Sequence, residues 1–230
     1  MCSWVSYRSR NSCSRSSRTF INLMLPSIYI IIASYLIGSI SGGIIIGKIK
    51  NVDVMSKGSK ASGATNVLRT IGLFSALTVL VIDVYKGYFS VIYIPYFFNS
   101  DNLINQTLAG AASILGHVYP FYFRFKGGKG VGTALGTLLA FHGFSNTIII
   151  AFSTWVLSVV LTGFVGLSSI LASLSIPTIY YFKSNTQYEI IIYSIIMALF
   201  IIFTHRENIY RMINGKENQF KKIMLKNLFK

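Results

Sequence analysis

The stretch FRFKGGKGVGTALGTLL, from Phe123 to Leu139, sets Arg124, Lys126 and Lys129 beside Gly127, Gly128 and Gly130, between a proline-broken aromatic run and a long apolar one. Glycines leave backbone N–H groups uncovered, a helix start adds unpaired N–H groups of its own, and the lysines add charge. Together they can seat an anion such as a phosphate. The segment is not a Walker A loop, which needs glycine where Phe123 stands and Ser or Thr where Gly130 stands. Gly128, Gly132 and Gly136, four apart, also read as a ridge that lets a neighbouring helix approach closely, and the two readings are compatible.

A second loop repeats the theme in Lys57-Gly-Ser-Lys-Ala-Ser-Gly-Ala-Thr-Asn-Val-Leu-Arg. Gly58, the hydroxyls of Ser59, Ser62 and Thr65, the Asn66 amide and the flanking cations can surround a phosphate with short donors. A flexible linker has much the same composition. Two such loops on one face of the molecule favour two phosphate cradles. After the last apolar run comes His205-Arg-Glu-Asn-Ile-Tyr-Arg. His205 and Asn208 share a helical face at i and i+3, where they can meet a substrate, while Glu207 and Arg211 pair at i, i+4 in a structural role. The ordinary pKa of histidine suits proton transfer, although a lone histidine often serves only as a hydrogen-bonding group. Asp83 and Lys86 stand at i and i+3 inside an apolar segment. They are either a functional site or a structural ion pair tethering a loop.

The elements that hold these residues are apolar. Of 230 residues 53% are hydrophobic and 12% charged, with mean hydropathy +0.59, the composition of a polytopic membrane protein. The net charge of +15 would suit nucleic acid only on a solvated basic face, which this chain lacks. A membrane helix needs about 20 apolar residues. Candidate spans run from Pro26 to Ile46, Leu73 to Phe97, Leu103 to Leu115, Val131 to His142, Thr147 to Leu161, Val165 to Phe182 and Ile190 to Phe203. The expected fold is an all-α bundle of about seven transmembrane helices, or five or six if short ones pair or re-enter. The basic residues of the first loop (Lys48, Lys50, Lys57, Lys60 and Arg69), the third loop (Arg124, Lys126 and Lys129) and the tail (from Arg206 on) fall on one side of it. The positive-inside bias makes that side cytoplasmic, with the N-terminus outside and the C-terminus inside.

One segment disagrees with this orientation. The arm MCSWVSYRSRNSCSRSSRTF carries Arg8, Arg10, Arg15 and Arg18 with no acidic residue, and would lie outside. Residues 1–25 are therefore expected to be a disordered extension or a misassigned start, with synthesis beginning at Met24 and residues 26–230 forming one transmembrane domain. Cys2 and Cys13 lie in that arm and give neither a metal spacing nor a disulfide framework. At the other end, FKKIMLKNLFK alternates basic and apolar residues as a surface-lying helix does.

In chain order, GSISGGIIIGK, DVMSKGSKASGATNVLRTIG, DVYKG, GHVYPFYFRFKGGKGVGTALG and HRENIYRMING resemble the motifs of the bacterial acyl-phosphate:glycerol-3-phosphate acyltransferases, integral membrane enzymes of phospholipid synthesis. The resemblance runs from about Leu25 to Gln219. It implies transfer of a fatty acyl group from acyl phosphate to the 1-hydroxyl of glycerol 3-phosphate at the cytoplasmic face of the bacterial inner membrane, giving 1-acyl-glycerol 3-phosphate and phosphate. By the same resemblance Ser59, Arg69, His205 and Asn208 are catalytic. It also implies that Gly127, Gly128 and Gly130 bind substrate and that Glu207 is structural. The reading of the loops adds Gly58, Thr65, Asn66, Lys126 and Lys129 as substrate-binding, and Asp83 and Lys86 as supporting residues. The partners are acyl phosphate, glycerol 3-phosphate and membrane lipids. No nucleic acid, metal or cofactor is implied, and a monomer is compatible. The chain departs from the family pattern at Lys60 and Ala61, where Gly and Asn are usual, and at Ser41, where Pro is usual.

Two rivals make different demands. An anion transporter would place polar groups on broken helices near the membrane midplane, often in inverted repeats, whereas here the polar motifs lie in loops and no convincing repeat is found. The acyl-CoA-dependent class carries HxxxxD, but the residues five after His117, His142 and His205 are Tyr122, Thr147 and Tyr210.

Overall fold

The computed structural model describes residues 24–142, 146–183 and 187–220. The expectations for the N-terminal arm up to residue 23, and for a surface helix over residues 221–230, lie outside the described residues. Helix α1 (24–38) begins two residues ahead of the expected domain boundary. It is followed by α2 (Gly42–Ile49), α3 (Ala64–Thr70), α4 (Leu73–Phe97), α5 (Leu103–Val118), a 3-10 turn (Phe121–Phe123), α6 (Val131–His142), α7 (Asn146–Thr162), α8 (Val165–Phe182), α9 (Tyr188–Thr204) and α10 (Arg206–Ile213). Among the described residues there is no strand.

The first expected span is two helices rather than one. It breaks at 39–41, where the Ser39 hydroxyl turns back on the Tyr35 carbonyl at 2.8 Å and the freed Ile40 carbonyl accepts from Lys86 Nζ at 2.7 Å. Ser41, standing where the family usually has proline, caps α2 by accepting from Ile44 N at 3.4 Å, so the departure is absorbed by a different capping chemistry. Among the described residues, 24–49, Leu73–Phe97 and Val165–Phe182 are long and apolar enough to cross a membrane, and α9 with α10 adds a fourth stretch bent by 52°. The other expected spans are shorter helices.

Close backbone approach sets the helix packing. A Cβ on Gly87 of α4 would collide with the Thr133 carbonyl of α6, and one on Gly136 of α6 would collide with the Val84 carbonyl of α4. Gly38 of α1 and Gly116 of α5 make the same reciprocal contact with the Ser113 and Tyr35 carbonyls. Lipid does not drive helices together as water does, so small residues that bring backbones into van der Waals contact are the available adhesive. The glycine ridge of α6 thus exists at Gly132 and Gly136. Gly128 lies outside it, because α6 starts only at Val131 and Gly128 packs on His117 instead.

Two apolar clusters matter for the site. Val54 and Val67 pack with Ala76 and Val79 and pin the first loop to α4. Leu138, Ile148, Ala151, Ile176, Tyr180 and Ile190 join α6, α7, α8 and α9. Outward-facing residues such as Phe74, Val81, Leu157 and Ile196 are large, apolar and exposed, as a lipid-facing surface requires.

Replacing Gly136 by Ala should destabilise the protein by about 1–3 kcal/mol, since backbone and not a flexible side chain must move. Gly132→Ala, whose Cβ would meet the Asp83 side chain at 3.2 Å, should cost less. Thermal unfolding of the two variants in detergent checks the order.

Candidate active site

Three chain segments far apart in sequence meet at one end of the bundle. Ser62 N donates to the Gly127 carbonyl at 3.3 Å, joining the first loop to the third. The Thr204 hydroxyl donates to the Lys129 carbonyl at 3.0 Å, joining the third loop to the end of α9. Phe220 N donates to the Gly163 carbonyl at 3.0 Å, folding the tail onto the α7–α8 corner. Between them lies a cavity of about 480 Å³. Its polar end is lined by Ser59, Thr65, Arg69, Lys129, His205 and Asn208, and its walls by Leu77, Leu80, Leu135, Phe152, Trp155 and Ile176.

The first loop is built around Asn66, which is buried. Its Nδ2 donates to the carbonyls of Val54 (2.8 Å), Lys57 (3.1 Å) and Ala61 (2.9 Å), and its Oδ1 accepts from Ser59 N (2.8 Å). Both amide hydrogens go to the loop, so Asn66 holds Ser59 at the cavity and has no donor left for a substrate. Gly58 packs against the same Oδ1 with φ +61° and does not line the cavity. Lys60 occupies its turn at φ +53°, a left-handed conformation that suits the glycine usual in the family.

The third loop divides the expected binding residues. Lys129 and Gly130 line the cavity, whereas Gly127 and Gly128 sit behind it and Lys126 is exposed away from it. Gly127 is pressed against the carbonyls of His117 and Val118, and Gly128 N donates to the His117 carbonyl at 3.1 Å. These two glycines let the turn lie flat on the end of α5, and their contribution to a ligand is made through the shape of the turn.

The charged groups of the tail form a chain. Lys129 Nζ donates to Asn208 Oδ1. Asn208 Nδ2 donates to Glu217 Oε1 at 2.7 Å, and Glu217 Oε2 receives Arg211 Nε at 2.7 Å. Burial, followed by the Arg211 charge, lowers the Lys129 pKa to about 8. Burial also lowers that of Arg69, with Glu217 opposing the shift. Arg69 stacks 4.9 Å over the Phe220 ring. The expected Glu207–Arg211 pair exists at 3.6 Å, but the Glu207 side chain is 72% exposed and the Glu217 side chain 3%. Glu217 is the carboxylate that shapes the site, and sequence spacing missed it because it lies beyond the helix, past a turn at Gly215.

His205 Nδ1 lies 2.8 Å from the Ile201 carbonyl. A carbonyl only accepts, so Nδ1 carries the proton and Nε2 keeps its lone pair. Burial first, then the Lys129 charge, lower the His205 pKa to about 4, leaving it neutral at pH 7. Asp83 lines the cavity from below, 2.9 Å from Lys86 Nζ. A partner that sequence reading did not assign, His117, places Nδ1 3.3 Å from the same Asp83 oxygen.

Fold and site together define a helical membrane protein with a cluster of cationic and polar side chains beside an apolar cleft. The chain belongs to the glycerol-3-phosphate acyltransferase family, whose profile matches residues 28–215. It is 38% identical over 195 residues to the glycerol-3-phosphate acyltransferase of Prochlorococcus marinus (strain MIT 9312), covering 84% of this chain and 97% of the relative. To that of Aquifex aeolicus (strain VF5) it is 36% identical over 196 residues, covering 85% and 100%. Crystal structures of PlsY (YgiH), an integral membrane glycerol 3-phosphate acyltransferase, in its glycerol 3-phosphate and lysophosphatidic acid forms superimpose with TM-scores of 0.78 and 0.76. Both are 35% identical and cover 89% of this chain and 99% of theirs. The fold is that of this integral membrane family.

Asn66→Ala would strip three carbonyls and one amide of their partner, a loss of about 2–4 kcal/mol. The expected outcome is a lowered Tm, with a smaller effect for Thr65→Ala, measured by thermal unfolding in detergent.

Proposed function

We propose that this chain transfers a fatty acyl group from acyl phosphate to the 1-hydroxyl of glycerol 3-phosphate, giving 1-acyl-glycerol 3-phosphate and inorganic phosphate. The reaction takes place at the cytoplasmic face of the bacterial inner membrane, in a seven-span protein with its N-terminus outside. The observation that carries the reading is one continuous cavity whose polar end holds Lys129, Arg69, Ser59, His205 and Asn208 and whose walls are apolar. Such a cavity suits two phosphates and one acyl chain.

Acyl phosphate is already activated, because phosphate is a good leaving group. The protein therefore needs no covalent acyl-enzyme and acts by orientation and by offsetting charge. The acceptor hydroxyl oxygen forms a bond to the acyl carbonyl carbon, the bond from that carbon to the phosphate oxygen breaks, and phosphate leaves with the electron pair. Lys129 and Arg69 hold the phosphates. The Ser59 hydroxyl and the Gly130 amide supply neutral donors, and Asn208 keeps Lys129 in place. His205, neutral with Nδ1 committed to a backbone carbonyl, is a weak base. Its Nε2 accepts a hydrogen bond from the acceptor hydroxyl and orients it, while the substrate's own phosphate takes the proton.

Purified protein given glycerol 3-phosphate should form product with acyl phosphate and none with acyl-CoA alone; product from acyl-CoA alone would overturn the donor assignment. Lys129 is charged below its pKa of about 8 and neutral above it, so kcat/KM for glycerol 3-phosphate, which reports the free enzyme, should fall as pH rises through that value. Lys129→Arg, which stays charged, should abolish the fall. Between pH 5 and 7 the profile should show no imidazole limb, and a limb near 6.5 that disappears in His205→Ala would make His205 the general base.

A further inference from the structure

We propose that Asp83 and His117 form a positioning pair that fixes the glycine turn carrying Lys129, an inference that rests on the anion-seat reading above. Both side chains are 4% exposed, with His117 Nδ1 3.3 Å from Asp83 Oδ1. The carboxylate is itself immobilised: the same oxygen lies 2.9 Å from Lys86 Nζ, and Lys86 donates onward to the Ile40 carbonyl at the break between α1 and α2. The imidazole thus lies within ion-pair distance of a carboxylate on α4 whose lysine partner reaches the α1–α2 break.

In front of the ring lies the turn. Gly128 packs so closely on His117 Nε2 that a Cβ there would collide with it, and its N–H is held by the His117 carbonyl at 3.1 Å. The residues just before, Arg124 and Phe125, are consecutive non-glycine positions at φ +53° and +59°. Such a conformation persists only where the surroundings over-determine it. On its far side the turn is tied down by the Thr204 hydroxyl on the Lys129 carbonyl at 3.0 Å. Lys129 therefore projects from a segment clamped between His117 and Thr204, and the orientation of the His117 ring sets one jaw. Ser59 is also fixed by Asn66 and His205 by the Ile201 carbonyl, so the first effect of loosening that jaw falls on the turn itself. The consequence falls on anion binding.

The test uses the full chain in detergent, with acyl phosphate saturating and glycerol 3-phosphate varied, on four variants. His117→Asn keeps an amide donor near the position of Nδ1, and His117→Gln places it near that of Nε2. His117→Ala keeps neither, and Asp83→Asn removes the charge behind the ring. His117→Ala, His117→Gln and Asp83→Asn should raise KM by on the order of tenfold with kcat within about twofold, while His117→Asn should stay within about threefold of the parent. If His117→Ala fails to fold by thermal unfolding, the Asn and Gln variants decide. An unchanged KM in His117→Gln, an equal defect in His117→Asn, or a collapse of kcat at constant KM would each overturn the positioning role. A parent without acyl transfer would sink the functional reading alone. Calorimetric titration of the same variants with glycerol 3-phosphate would then decide: weakening in Gln but not in Asn supports the pair, and equal affinities overturn it.

Discussion

One buried carboxylate makes the cationic site possible. Lys129, Arg69 and Arg211 converge from three segments of the chain, and without an opposing charge their mutual repulsion and loss of water would hold those segments apart. Glu217 sits among them, bonded to Asn208 and Arg211. Removing one member of such a group leaves the rest uncompensated, which costs far more than the net worth of the group itself. Burial first, then the Arg211 charge, lowers the Lys129 pKa to about 8, and Glu217 opposes the shift.

A second carboxylate, Asp83, plays the corresponding part below the cavity, where it gathers Lys86 and His117. The two acidic groups do different jobs. Glu217 belongs to the tail and holds cations toward the cavity. Asp83 belongs to α4, the helix against which α6 packs through Gly132 and Gly136, so whatever it fixes is referred to the most closely packed part of the bundle. The site thus stands on a rigid base and is closed by a segment secured mainly by polar contacts.

The neutral state of His205 follows from the same economy of polar groups. Burial first, then the Lys129 charge, outweigh the support that the Ile201 carbonyl and Glu217 give to the charged imidazole. The histidine beside Asp83, His117, also lines the cavity and packs against Gly128. Positive charge at the cavity is carried by Lys129 and Arg69, beside the neutral donors and acceptors of Ser59, His205 and Asn208.

The sequence by itself determined the all-helical fold, the membrane character and the family, because apolar runs of helical length and five ordered motifs are local patterns. It also singled out Ser59, Arg69, Lys129, His205 and Asn208, which the structure brings to one cavity. Only the tertiary structure decided which residues of each motif face that cavity. Lys126 and Lys129 are equivalent in composition, yet one points away and the other pairs with Asn208. Asn66 looks like a donor for ligands but its donors are used up by its own loop, and the carbonyl left free where the first span breaks is taken up by Lys86, 46 residues on. Glu217 and His117 were not assigned for the same reason: their partners are distant in sequence or lie beyond a turn. Periodicity reports how neighbours along one helix share a face, and it carries no information on which group of another segment satisfies a buried charge.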